Sequence, residues 1–284
     1  MAHAIRIGDV EILSLMDVGD WTLPNFFPSV EPEVWETYRA LYPDALRDGG
    51  SIYTTATAYA VRSTEQTILV DTGLGPGPHE RLGGQTGRLL VELRSKGIGP
   101  EDVDIVVITH MHHDHVGWNG IDAGEDVQPT FPRARYLLPK ADWDHFSLPD
   151  VLERSPYLHG TVALYQKGLV DLVSGEHTVS RQVTLVPTPG HTPGHQAVFV
   201  ESQGERAAIT GDMAHAPPQV QETDWTPRAD LNPELSRATR RRMFDRIEAD
   251  HTLLCAGHFP HPGFGYLTRL ADRRIFQALP ATER

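Results

Sequence analysis

The stretch Thr109-His110-Met111-His112-His113-Asp114-His115 sets imidazoles and a carboxylate side by side. Imidazoles at i and i+2 of one loop reach a single metal ion, and the Asp and His directly behind them supply a second. A solvated, His-rich turn would have the same composition. Against that stands a recurrence downstream. Pro189-Gly190-His191-Thr192-Pro193-Gly194-His195, Ile209-Thr210-Gly211-Asp212 and Leu253-Leu254-Cys255-Ala256-Gly257-His258 each close an apolar segment with Gly plus His or Asp. A strand running into a ligand, repeated, is a stronger signal than any one motif.

These pieces resemble the metallo-β-lactamase superfamily. The resemblance lies in His110-x-His112-x-Asp114-His115, His191 within Gly-His-Thr-Pro-Gly-His, Asp212 after Thr-Gly, and His258. Leu69-Val70-Asp71-Thr72-Gly73 matches a further motif ahead of them, so the resemblance runs from Ile52 to beyond His258. It implies one metal site built by His110, His112 and His191, and a second built by Asp114, His115 and His258. Asp212 would bridge the two, and Asp71 would accept a proton from a ligand imidazole and fix its orientation. His258 is preferred to His261 as the last ligand because it ends its strand directly. His195 is expected to bond backbone near the site, and His113 to point away from it.

Two divalent ions held in this way would share a hydroxide, make it a nucleophile at neutral pH and polarise the substrate oxygen. Zinc is the first expectation for a nitrogen-rich set, with iron, manganese or cobalt as alternatives. Asp114 and His215 are the candidate catalytic residues, Asp114 as the group that takes the proton during attack. A redox role is not expected: the superfamily's di-iron flavoproteins carry a Glu where this chain has His112. Cys255 lies in an apolar strand and reads as core.

The elements that position these residues follow from pattern. Val103, Ile105, Val106, Val107 and Ile108 read as a buried strand, so the histidines sit at its end, where α/β folds gather ligands. Residues 5 to 16 read as an edge strand, and Tyr53 to Val61 with Thr67 to Asp71 as a hairpin. A helix begins at Thr86 and ends at Gly97. Another opens after Pro139, and residues 147 to 160 read as a polar surface insertion. Asn232 is the expected N-cap of a long helix beginning at Pro233 and running to Ala249. Its Arg237, Arg240, Arg241, Arg242 and Arg246 read as a solvated face, offset by Glu234, Asp245 and Glu248. Pattern alone gives α/β or α+β; the resemblance implies a four-layer αββα sandwich, one domain over residues 1–284.

The segment from Gly19 to Gly50 breaks the pattern with Trp21, Phe26, Phe27, Trp35, Tyr38 and Tyr42 between prolines. It either packs as a satellite core, closes over the site as a lid, or buries a homodimer interface. Trp21, Phe26, Phe27, Trp118 and Trp143 are the candidate lining of a substrate pocket and favour an apolar or aromatic substrate.

The chain has 284 residues, 39% of them hydrophobic, enough for a sizeable core. With 25 basic and 38 acidic residues its net charge is −13, which argues against nonspecific nucleic-acid binding. One cysteine excludes an internal disulfide and agrees with a cytoplasmic setting. No basic-then-apolar leader and no membrane-length apolar run is present, so neither export nor membrane insertion is expected.

Among branches of the superfamily, acyl-homoserine lactonases share Gly-His-Thr-Pro-Gly-His but carry a Tyr shortly after the bridging Asp. Here the run is Asp212-Met213-Ala214-His215, and His215 takes that place. With Val116-Gly117-Trp118-Asn119 and His258-Phe259-Pro260, this looks closer to the branch of methyl parathion hydrolase and chlorothalonil dehalogenase. The expected function is dinuclear-metal hydrolysis of lactones or esters with an apolar part. Aryl phosphotriesters or halogenated aromatics are the alternative, and thioesters a further one.

Overall fold

The computed structural model describes residues 3–124 and 126–280. Two sheets lie face to face. The first runs, in spatial order, Ala4–Ile7, Val10–Leu23, Ser51–Arg62, Thr67–Val70, Ile105–Val107, Arg135–Pro139 and Val170–Val173, with Leu46–Arg47 paired beside Ser51–Arg62. The second runs His177–Thr178, Val183–Pro187, Gln196–Ser202, Glu205–Ile209, Leu253–Cys255, Phe264–Leu270 and Arg273–Ala278.

Successive strand residues turn to opposite faces. Ile12, Tyr59, Ile68 and Val107 form the inner core with Leu185, Val198, Val200 and Ile209 of the other sheet. Their neighbours Leu13, Ala60, Leu69 and Val106 turn outward onto Leu89, Leu93, Phe146 and Leu164. Those come from the helices Leu89–Ser95, Lys140–Phe146 and His159–Gln166. The second sheet turns Ala208, Leu254 and Leu267 onto Met243, Phe244 and Ile247 of the helix Pro233–Ala249. The layers are therefore helix, sheet, sheet, helix, the αββα sandwich. Asn232 caps that last helix, its side chain accepting from Leu235 N at 3.1 Å.

Parallel pairing of Thr67–Val70 with Ile105–Val107, and of Glu205–Ile209 with Leu253–Cys255, brings the ends of these strands to one edge. Asp71, the His110 loop, Asp212 and His258 all follow those ends.

Three expectations are corrected. Residues 5 to 16 are not one strand but a hairpin, with Ile7 paired to Val10 and Gly8 turning at φ 56°. A Cβ on Gly8 would lie 2.6 Å from the Ser202 carbonyl oxygen, so the turn also needs a residue without a side chain. Residues 147 to 160 are not a polar excursion. Their helical turns Pro149–Leu152 and Pro156–Leu158 bury Leu158 and bring Tyr157 against His113, ring centroids 6.0 Å apart. Arg240 does not share a solvated face with its neighbours: it is 0% exposed.

The aromatic segment divides. Phe27, Trp35 and Tyr38 are buried with Trp225, on which Trp35 stacks at 5.8 Å. Phe26 stays half-buried, its ring 5.0 Å from that of His215. No helix among the described residues is long and apolar enough to cross a membrane.

Candidate metal centre

The ligand-bearing loops converge into two groups, with a third cluster of Asp212, His215 and His258 between them. His110, His112, His191 and Asp212 form one, and Asp114, His115 and His258 the other, the ligand atoms of each lying within 4.8 Å of one another. In the first, His110 Nε2 and His191 Nε2 stand 3.1 and 2.9 Å from His112 Nδ1, and 3.5 and 3.2 Å from Asp212 Oδ2. In the second, His115 Nε2 and His258 Nε2 each stand 3.1 Å from Asp212 Oδ1, and His258 Nε2 is 3.5 Å from Asp114 Oδ2. Asp212 thus turns one oxygen to each group. Ligands about 2.1 Å from one ion sit roughly 3–3.5 Å from each other, so both spacings suit a metal.

Unpaired atoms support the same fit. His115 Nε2, Asp212 Oδ1 and His215 Nδ1 are buried with no hydrogen-bond partner among the described residues. The first two stand 3.1 Å apart with no hydrogen bond between them. Atoms that stand side by side in this way share a third partner rather than serve each other. Each buried polar atom left unpaired costs about 1–3 kcal/mol, a cost that a cation between them removes. The donor set, imidazole with carboxylate, fits two divalent ions.

Hydrogen bonds behind the rings hold them in place. His115 Nδ1 donates to Asp71 Oδ2 at 2.8 Å, His191 Nδ1 to Asp230 Oδ1 at 2.9 Å, and His258 Nδ1 to the Thr55 carbonyl at 2.8 Å. An acceptor at Nδ1 settles the tautomer and turns a bare Nε2 inward. Asp71 sits at φ 63°, a left-handed backbone that a non-glycine residue adopts only when its surroundings insist. Its carboxylate also accepts from Thr109 N and Oγ1 at 2.7 and 2.8 Å, so one side chain aligns both His115 and the start of the His110 loop. His195 Nε2 accepts from Asp212 N at 2.9 Å, while Thr188 occupies its other ring nitrogen.

Asp142 joins two ligand loops. It accepts from Met111 N at 2.9 Å in the His110 loop, and from Thr192 Oγ1 and Gly194 N at 2.9 and 2.6 Å in the His191 loop.

Charge in the centre is strongly shared. Burial alone would lower the His191 imidazole, but Asp212 and Asp230 carry it up to about 9. His115 and His258 are likewise raised, against burial, by Asp212. Burial, with Asp212 only partly opposing it, takes His215 down to about 4, so its ring is neutral at pH 7. Burial would raise Asp114, yet His113, His115 and His258 hold it well below the usual carboxylate range. One consequence is measurable. Below about pH 9 the metal-free His191 keeps a proton that an incoming cation must displace. Apparent zinc affinity, read by chelator competition, should therefore weaken as pH falls from about 9 to 6, with proton release on binding. An affinity flat across that range would contradict the assignment of His191 as a ligand.

Of the aromatic residues expected to line a pocket, Phe26 reaches His215 and Trp21 reaches His113, ring centroids 5.9 Å apart. Phe27 belongs to the satellite core instead. Trp118 is corrected to the outer core of the first sheet, where its Nε1 donates to the buried Asp17 at 2.9 Å. Trp143 is corrected likewise: it stacks on Tyr165 at 4.1 Å, against that same core. Two rings missed in the sequence stand in their stead, Phe146 at 5.7 Å from His112 and Tyr157 beside His113. Also missed were Asp230, Asp142 and Arg240. Nothing in their immediate sequence marks the carboxylates. Arg240 had a signal, since it shares a helical stripe with Ser236, Met243, Phe244 and Ile247, all buried.

The chain belongs to the metallo-β-lactamase superfamily, whose pattern it matches over residues 54–258. An N-acyl homoserine lactonase of Bacillus thuringiensis is 24% identical to it over 230 residues, 75% of this chain and 85% of that one. The solved hydrolase AbOPH of the β-lactamase superfamily superposes with a TM-score of 0.84 at 24% identity, covering 99% of this chain and 98% of its own. AidC, a dizinc quorum-quenching lactonase solved with a product, superposes at 0.83 with 22% identity and the same 99% and 98% coverage.

Proposed function

We propose that this chain is a dinuclear-metal hydrolase that opens lactones, and cleaves esters, bearing an apolar part. The observation that carries the reading is Asp212, whose two oxygens face two separate ligand groups beneath a rim of aromatic rings. The named activity of the lactonase relatives supports the choice of substrate.

His110, His112, His191 and Asp212 Oδ2 would hold one ion, and Asp114, His115, His258 and Asp212 Oδ1 the other. When bound, the two ions supply positive charge that polarises the scissile carbonyl and lowers the pKa of water beside it. The chain does the rest. Asp212 sets the separation of the two halves. Asp114, kept ionised by its histidines, takes the proton released in attack and returns it to the leaving oxygen. His215 steadies Asp212 through Nε2, at 3.0 Å from Oδ2, and offers the unpartnered Nδ1 to the substrate. Trp21, Phe26, Phe146 and Tyr157 give the apolar part a place to bury and keep water from the reacting carbonyl. Zinc remains the first choice of metal, and the single buried Cys255 supports a cytoplasmic setting.

The Phe26 ring stands 5.0 Å from that of His215, and in this reading it meets the acyl chain. Burial of a ring this size is worth about 1.5–3 kcal/mol. Phe26→Ala should therefore raise KM for a long-chain lactone about tenfold or more and leave a short-chain one nearly unchanged. Equal effects on both chains would remove Phe26 from the pocket.

The function itself is tested with zinc-loaded protein against an acyl lactone, an aryl phosphotriester and an aryl thioester side by side. Dominant lactone turnover supports the proposal; dominant turnover of either competitor overturns it.

A further inference from the structure

Arg240 is the least expected side chain of the helix, a guanidinium with 0% exposure among arginines that are exposed or half-buried. A buried charge persists only where its donors are met. Here they are met from four places in the chain. Nε donates to the Met213 carbonyl at 2.6 Å. Nη1 donates to the carbonyls of Thr223 and Trp225 at 2.7 and 3.1 Å. Nη2 donates to Ser236 Oγ at 3.0 Å and to Asp230 Oδ2 at 3.4 Å.

Each segment leads to the metal centre. Met213 follows Asp212. Asp230 gives its other oxygen to His191 Nδ1 at 2.9 Å. Trp225 carries the stack with Trp35 and the contact with Phe27, from which Phe26 projects. Ser236 is packed so tightly beneath the His191 loop that a Cβ on Gly190 would lie 2.3 Å from Ser236 Cα. Backbone bonds tie the same loop down, from Leu231 N to the His191 carbonyl and from Asn232 N to the Gly190 carbonyl, both 2.9 Å.

We propose that Arg240 is a positioning residue for the His191 half of the centre. Through Asp230, which accepts from Arg240 on one oxygen and from His191 Nδ1 on the other, it fixes the His191 ring. The imidazoles of the other half are oriented from elsewhere: His115 by Asp71, just past a strand of the first sheet, and His258 by Thr55 within that sheet. Arginine is required because one planar fork serves three directions; lysine keeps the charge and loses the fork. The inference rests on the reading of the site as a two-metal centre.

The test compares the zinc-loaded parent, Arg240→Lys and Asp230→Asn by metal content after dialysis against graded chelator. Cobalt-substituted protein provides a visible spectrum of each site, and near-ultraviolet circular dichroism reports folding. The parent should hold two ions with distinct release curves. In each variant one ion should weaken about 10–100-fold while the other keeps its parental curve, the usual scale for disturbing a group behind a ligand. Variants that hold both ions as the parent does would overturn the proposal. So would a loss of equal size at both sites, which marks general loosening. If Arg240→Lys does not fold, Asp230→Asn decides alone. A parent that binds no metal would fail the two-metal reading and this inference together; a parent with two ions and unaltered variants fails only the inference.

Discussion

Asp212→Ala should lower kcat/KM for the lactone by at least about a thousandfold, because the charge stabilisation supplied by such a centre is worth several kcal/mol. The reason is geometric. Its side chain faces both ligand groups, Oδ2 at 3.2 Å from His191 Nε2 on one side and Oδ1 at 3.1 Å from His258 Nε2 on the other. In this reading alanine would remove a ligand from each ion and the negative charge between them. It also leaves five neighbouring imidazoles, those of His110, His115, His191, His215 and His258, without their shared carboxylate. Metal content should drop with activity. A variant that keeps two ions and more than about a tenth of parental turnover would show that Asp212 is not the bridge.

Asp142→Ala should act through the scaffold and lower folding stability by about 3 kcal/mol or more, measured by denaturant unfolding of the metal-free protein. Asp142 is 0% exposed, so water does not replace it. Removing it strands Met111 N, Thr192 Oγ1 and Gly194 N in the interior, each at a cost of about 1–3 kcal/mol. Those donors belong to the two loops that carry His110, His112 and His191. Zinc retention should therefore fall in the same variant, at the His191 half first. Unchanged stability would mean that the loops hold each other without the carboxylate.

Much of the site is legible in the sequence because its signals are local. An apolar run that ends in His or Asp states both the strand and where its ligand stands, and this occurs at His110, His191, Asp212 and His258, the last three directly after a Gly. Asn232-Pro233 states a helix start in the same local way. What stays hidden is set by long-range contacts. Asp17, Asp142 and Asp230 look like ordinary turn or helix acids until the chain brings Leu89, Met111 and His191 to them. Aromatic type says that a ring wants burial, not which surface buries it. Hence all four rings Trp118, Trp143, Phe146 and Tyr157 join the outer core, and of these Phe146 and Tyr157 also reach the histidines. Arg240 lay between the two cases: its helical phase was readable, but its neighbours Arg237, Arg241 and Arg242 suggested solvent.

The most direct measurement follows lactone opening by metal-stripped protein as zinc is added stepwise. The account predicts no turnover without metal and a rate that climbs to a plateau at about two ions per chain. A protein that binds two ions and opens no lactone would contradict it, as would full turnover with no metal bound.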